Sequence, residues 1–297
     1  MSITVVIPTC RRPAMLAHCL RTIPTGTDVV VSDDGGDEET RSLMAREFPH
    51  IRFIAGPRRG PAANRNNGAR AAEGDWLAFI DDDCEAQPGW LEAIVKASPE
   101  ADVVEGRTMA PGATDSPLEE HVENLRGGVL WSCNLAVERK AFLALGSFDE
   151  DFLEAGGEDM EFAWRVARAG LRVKFVPEAL VHHPPRYIGW RGLWRRMWMA
   201  RWMPLYWMKT GQSAPLPITA MRELTNLCRS TVHLVTRPEP GRWRRRIFAI
   251  AWRWITFPIV LPWMLRWQVH FEEMLRLRLA QSPSMEEATV NNLTIPR

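Results

Sequence analysis

Three consecutive aspartates, Asp81-Asp82-Asp83, close the apolar run Trp76-Leu77-Ala78-Phe79-Ile80. Adjacent acids repel one another, so packing alone gives no reason to place them together. A divalent cation does, because hard oxygen donors at a strand end hold Mg²⁺ or Mn²⁺ against a substrate diphosphate. The competing reading is a solvated acidic turn. Two further polar strand ends, Pro8-Thr9 after Ile3–Ile7 and Asp33-Asp34-Gly35-Gly36 after Asp28–Ser32, favour the ligand site.

The elements that must carry these groups follow from periodicity. Strands are expected at Ile3–Ile7, Asp28–Ser32, Ile51–Ala55, Trp76–Ile80 and Leu171–Val176. Helices are expected at Pro13–Leu20, Glu38–Glu47, Asn64–Ala72, Trp90–Ala97, Arg139–Leu145 and Asp159–Ala169. Asp102–Val129, with its Gly and Pro punctuation, reads as irregular. Alternating strands and helices predict an α/β fold with a mainly parallel sheet, and such sheets bind ligands beyond the carboxyl ends of their strands.

Charge divides the chain. Residues 1–185 carry 19 Lys/Arg and 30 Asp/Glu, whereas residues 186–270 carry 15 Lys/Arg and only Glu223 and Glu239. Ten of the 14 tryptophans fall in that basic stretch, among them Trp190, Trp194, Trp198 and Trp202 at four-residue spacing. Arg and Trp among Leu, Met, Ile and Phe suit an anionic membrane surface, with indole at headgroup depth and guanidinium at lipid phosphate. Stacking on single-stranded nucleic acid is the alternative, but the apolar run Ile247–Leu265 fits lipid better. That run is near a bilayer's width. Arg253, Pro258 and Pro262 favour a helix lying in the plane or re-entering, with Arg242–Arg246 at the cytoplasmic side. The expected organisation is a catalytic domain over 1–185, a helical membrane-associating region over 186–280 and a disordered tail over 281–297.

The five cysteines are odd in number and widely spaced, which argues against a disulfide framework or a zinc site. The N-terminus lacks the basic start and apolar stretch of a signal peptide. The expected location is therefore the cytoplasmic face of the inner (plasma) membrane, peripheral or monotopic.

Seven segments then line up in order. They are Val5-Val6-Ile7-Pro8-Thr9 with Arg12-Pro13, Val31-Ser32-Asp33-Asp34-Gly35, Gly60–Asn66, Asp81-Asp82-Asp83, Asn134-Leu135-Ala136, Gly146-Ser147-Phe148-Asp149, and Gly156-Gly157-Glu158-Asp159 with Arg165. Over residues 3–185 they resemble family 2 glycosyltransferases, nucleotide-sugar-dependent enzymes of the GT-A fold. The match departs at Cys133, Asn64 and Ser147, where the family often has Gly, Ala and Gly.

The resemblance implies roles. Asp33 would accept a hydrogen bond from the nucleotide base, uracil N3 being the favoured donor, with Pro8, Thr9 and Arg12 completing that pocket. Arg65, Asp81 and Asp82 would serve the nucleotide sugar. Asp83 would be the direct metal ligand, joined by Asp81 and by His183, with His182 as the alternative histidine. Asp159 would be the general base, with Glu158 as its fallback, and Trp131 and Asn134 would face the acceptor. One base without a covalent intermediate implies inversion. The implied reaction moves a sugar, favoured as a UDP-sugar, to a hydroxyl of a lipid-linked or cell-surface glycan with Mn²⁺ or Mg²⁺. The competing readings are a sugar nucleotidyltransferase, a catalytically silent membrane-docked subunit of a polysaccharide assembly, and a nucleic-acid-binding protein.

Overall fold

Runs of Val, Ile, Leu and Phe that face apolar neighbours on both sides must sit in the middle of a layered fold. The computed structural model describes residues 1–236 and 243–281 and places those runs at the centre of an eight-stranded sheet. The tail expected to be disordered, from residue 282 on, and Arg242 of the basic run lie outside the described residues.

The first half alternates strictly: β1 (Ile3–Thr9), α1 (Pro13–Thr22), β2 (Asp28–Asp33), α2 (Glu38–Glu47), β3 (Arg52–Ala55), α3 (Pro61–Ala71) and β4 (Trp76–Ile80). After the acid run come β5 (Glu85–Ala86), α4 (Trp90–Ala97), β6 (Val103–Met109), β7 (Glu119–Glu120), β8 (Asn134–Glu138), α5 (Arg139–Ala144), α6 (Glu158–Arg168), β9 (Val173–His182) and β10 (Arg186–Tyr187). The large sheet runs β3-β2-β1-β4-β8-β6-β9-β5, with β8 and β5 antiparallel to the other strands. Strand β7 pairs with β10 in a separate two-stranded ribbon.

Alternation along each strand splits the core between the two faces. Val5, Ile7, Val29, Val31, Ala78 and Ile80 pack with α1, α2 and α4 on one side. Val6, Leu77, Phe79, Leu135 and Val137 pack with residues of α3, α5 and α6 on the other. There Phe79, Phe142, Phe148 and Phe162 form an aromatic cluster with ring centroids 5.0–5.5 Å apart.

Two expectations change. Part of the segment read as irregular is β6, a central strand between β8 and β9. It carries Glu105 in a buried position because Val129, Leu130, Gly128 and the Asn124 amide all donate to that carboxylate. The strand expected to end at Val176 continues as β9 to His182, through a register shift opposite Gly106 and Arg107.

The chain divides into two compact units, Met1–Leu193 and Trp194–Arg297. Helix α7 (Gly189–Met199) crosses that division, and α8 (Met203–Lys209), α9 (Leu216–Thr236) and α10 (Trp243–Gln281) complete the second unit. The sequence boundary at 185 stands earlier; Arg186 and Tyr187 pair with Glu119 and Glu120, inside the first unit. Within the second unit the tryptophan stripe meets α10: Trp194 lies edge-on to Trp252, Trp198 to Trp263, and Trp202 against Phe271. Helix α10 runs unbroken through Pro258 and Pro262, so the prolines do not interrupt the apolar segment as expected. Its Ile247–Arg278 stretch is long and apolar enough to cross a membrane, with a mean hydropathy of 1.4 over its best window.

Candidate active site

Strand order places the carboxyl ends of β2, β1 and β4 side by side, with Thr9 in register with Asp33. Loops leaving these ends converge because each strand pair is parallel and each connection crosses over a helix. Asn64 of α3 fastens the floor by donating to the carbonyls of Thr9 and Ser32 at 3.2 and 3.0 Å. That bond accounts for an amide where the family often has alanine.

The three acids have three different surroundings. Asp82 is fully buried, accepts a hydrogen bond from Thr9 Oγ1 at 2.6 Å and pairs with Arg12 at 2.6 Å. Burial pushes its pKa up to about 7 against the pull of Arg12 and Thr9. Asp81 pairs with Arg65 at 2.6 Å; burial raises its pKa, but Arg65 outweighs burial and holds the carboxyl below its usual range. Asp83 meets Arg12 and Arg186, each at 2.9 Å, and lies 3.5 Å from His183 Nε2.

Arg65 joins this cluster to the second acidic pair. Its buried guanidinium also reaches Glu158 at 3.3 Å. Despite burial, Asp81, Asp159 and Glu158 hold Arg65 protonated. Glu158 is buried and committed: it accepts the amides of Gly156 and Gly157 at 2.8 and 3.0 Å besides Arg65. Asp159 differs. One oxygen accepts the Ser132 amide at 3.2 Å, and the other has no hydrogen-bond partner among the described residues. Burial, with Glu158 beside it, pushes its pKa up to about 7. A half-ionised carboxyl with an open acceptor is the form a general base takes near neutral pH.

The nucleotide-side residues have partners within the protein. Pro8 and Thr9 are buried in the strand end, and Arg12 is turned to Asp82 and Asp83. The Asp33 carboxylate accepts the Gly35 and Gly36 amides at 2.8 and 3.0 Å, one on each oxygen. An open cleft beside them is lined by Cys10, Arg11, Asp34, Gly36, Asp37 and Arg58. Asp34 shapes it by accepting the amides of Arg58 and Gly60. Arg11 and Arg58 both hold positive φ, 54° and 57°, a backbone strain characteristic of ligand loops. The Asp-Asp-Gly-Gly turn and the start of the Gly60–Asn66 segment were the sequence signals for this cleft.

On the other side, Asn134 is buried and fully used. It donates to the Arg107 and Ala179 carbonyls and accepts from Trp90 Nε1, so it ties strands together. Trp131 is half-buried against the core. Asn66 clasps Phe148 through both backbone groups, which holds the Gly146–Asp149 segment on α3.

The donor set suits a divalent ion. An Asp83 oxygen, His183 ring nitrogen and Cys84 sulfur all lie within 4.8 Å of one another. Carboxylate and imidazole serve Mn²⁺ and Mg²⁺ in different proportion; His182, partly exposed and paired opposite Glu85, lies outside this group.

Residues 4–133 match the profile described as "Glycosyl transferase family 2". Over that stretch the chain is similar to family 2 glycosyltransferases, which supports the resemblance carried by its motifs. Residues 117–186 further match a profile described as the N-terminal domain of galactosyltransferase. The chain is 28% identical over 212 residues to a pre-mycofactocin glycosyltransferase of Mycobacterium tuberculosis, covering 62% of this chain and 43% of that one. It is 27% identical over 219 residues to the validoxylamine A glucosyltransferase of Streptomyces hygroscopicus subsp. limoneus, covering 57% and 48%. The chain thus spans less than half the length of these relatives. In fold it is similar to the mannosyltransferase PcManGT of Pyrobaculum calidifontis, solved with GDP-Man and Mn²⁺, at a TM-score of 0.54, 17% identity and coverage of 98% and 83%. GalNAc-T7, solved with UDP, GalNAc and Mn²⁺, gives a TM-score of 0.51 at 21% identity, covering 64% and 45%.

Proposed function

We propose that this chain is a metal-assisted, inverting glycosyltransferase acting on a nucleoside-diphosphate sugar, a UDP-sugar being the donor we favour. The observation that carries the reading is the convergence of two carboxylate sets on Arg65: Asp81 of the acid run on one side, Glu158 beside Asp159 on the other. Asp159 takes the acceptor hydroxyl's proton on its open oxygen as that hydroxyl attacks the anomeric carbon. The carbon–oxygen bond to the diphosphate breaks in the same displacement, and its electron pair leaves with the phosphate. A single displacement inverts the anomeric centre. Asp83 and His183, with Asp81 nearby, would hold a divalent ion, which when bound stabilises the charge developing on the departing diphosphate. Structural relatives solved with Mn²⁺ and with UDP or GDP-Man support that choice.

The acceptor we propose is a lipid-linked or growing cell-surface glycan, met at the cytoplasmic face of the plasma membrane. The basic, tryptophan-rich second unit supports this, with Trp194, Trp198, Trp254 and Trp263 each about two-fifths exposed and the apolar stretch of α10 mostly uncovered. Interfacial indoles and guanidinium groups bring such a helix to anionic lipid.

The test is nucleotide release from UDP-, GDP- and dTDP-sugars with Mn²⁺, Mg²⁺ or EDTA, comparing wild type with Asp83→Ala. Release from one donor, dependent on metal and lost in the variant, is the expected result. Calorimetry with the free nucleotides runs alongside. Failure of every nucleotide to bind with metal would leave the silent subunit as the better reading. Flotation with phosphatidylglycerol and phosphatidylcholine vesicles tests the membrane part separately.

A further inference from the structure

A sulfur lies among the oxygen and nitrogen donors of the acid run. Cys84 follows Asp83 directly, and its Sγ is within 4.8 Å of both an Asp83 oxygen and a His183 ring nitrogen. The backbone fixes all three. The Cys84 amide donates to the Asp81 carbonyl at 3.1 Å, closing a turn after β4, and the His183 amide donates to Met109 at 2.8 Å. Cys84 and His183 are buried, at 1% and 3% exposure. A second buried thiol, Cys133, lies beside Cys84.

Resting on the reading of Asp83 and His183 as a metal site, we propose that Cys84 is a third protein ligand to the bound ion. The site then offers oxygen, nitrogen and sulfur, and it holds thiophilic ions, Zn²⁺ and Co²⁺, through all three. Mn²⁺ and Mg²⁺, which prefer oxygen, rely on Asp83, with His183 added for Mn²⁺, and gain little from the sulfur. The step balances simply: the metal–sulfur bond forms, the S–H proton leaves to solvent, and thiolate plus carboxylate match the two charges of the ion. Cys133 is the thiol that orients Cys84, as partners of metal ligands commonly do. The plain alternative is that Cys84 only fills space in the core it borders, as buried free cysteines usually do.

Co²⁺ separates the two, because thiolate ligation gives a charge-transfer absorption band in the near ultraviolet that oxygen and nitrogen ligands do not. The full chain, stripped of metal with EDTA and dialysed, is titrated with Co²⁺ with and without UDP, by absorption and by calorimetry. The expected result is binding with the band in wild type, lost in Cys84→Ser and kept in Cys133→Ser, Cys10→Ser and Cys228→Ser. Competition should show that Cys84→Ser weakens Zn²⁺ at least about tenfold, the floor for losing even an outer partner of a ligand. Mn²⁺ affinity should be unchanged. Co²⁺ binding by calorimetry without the band in wild type overturns the sulfur ligand and leaves the Asp83–His183 site standing. Absence of any binding, with or without UDP, overturns both. If Cys84→Ser melts early, Cys84→Ala replaces it, and the wild-type spectrum alone still decides against the proposal.

Discussion

Arg186 reaches back across the chain to Asp83 at 2.9 Å while its other terminal nitrogen holds Glu120 at 2.6 Å. One guanidinium thereby links the end of the acid run to the β7–β10 ribbon. It also pairs with the carboxylate that the proposed divalent ion would use. Arg186→Met should therefore tighten donor-free Mn²⁺ binding by about thirtyfold, the scale of one unit charge about 4 Å from a divalent ion at high dielectric. Isothermal calorimetry on the two proteins measures it. Weaker binding in the variant would mean that Arg186 holds the loop in its metal-binding shape.

Asp159 should show opposite effects on rate and on stability. Asp159→Asn is expected to lower kcat by about 10²–10⁴-fold, the usual contribution of a general base. In wild type, kcat should rise with pH through about 7, where Asp159 ionises. Stability runs the other way. The folded pKa is about 7 against an ordinary 3.8, so between those values the native state keeps a proton the unfolded chain has lost. Asp159 therefore costs stability as pH rises through that window. Above the window, Asp159→Asn should melt higher than wild type, and the difference should vanish in acid. Thermal melts across pH, beside a pH–rate profile, test both halves.

Arg65 is buried between two carboxylates, and removing it strands both. Arg65→Met should cost about 3–5 kcal/mol of unfolding free energy, the range for breaking a buried ion pair from one side. Arg65→Lys should not restore it, because a single ammonium lacks the planar fork that meets Asp81 and Glu158 together. Urea unfolding gives both values, and full stability in the lysine variant would show that charge alone suffices.

Glu105 accepts three backbone amides and the Asn124 side chain. Glutamine keeps the shape but turns an NH₂ toward those donors, so Glu105→Gln should lose about 2–4 kcal/mol, more than one charge-assisted hydrogen bond. Hydrogen exchange should speed at Gly128, Val129 and Leu130 before it does in β1 or β4. Uniform loss of protection would instead make Glu105 a support of the whole sheet.

What could be read in advance follows a physical line. Strands β1, β2 and β4 are covered on both faces, so their sequences are continuous apolar runs and stand out. Strand β6 was missed because Glu105 and Gly106 break its pattern, and the donors that make a buried carboxylate tolerable lie 19 to 25 residues further on. The acid run stood out by residue type, and Asp159 by the family resemblance. The contacts of Arg186 and Glu158 did not stand out, since they are made to partners distant in sequence or to backbone amides. Thr9 was placed at the correct strand end, yet it is turned inward to Asp82, far away in sequence, whereas Asp33 folds onto the amides of its own Gly35-Gly36 turn.

The antiparallel strand β8 inserted between β4 and β6 bears on how this chain is made. The half of the sheet up to Ile80 can assemble as soon as it leaves the ribosome, but its β4 edge stays unpaired until Glu138 has been added. At synthesis rates of about 5–20 residues per second, that edge is bare for roughly 3–12 seconds. A bare apolar edge invites pairing with other nascent chains. The order of translation thus creates an interval in which a chaperone, or slow codons placed after β8 but not before it, would decide the yield of folded protein.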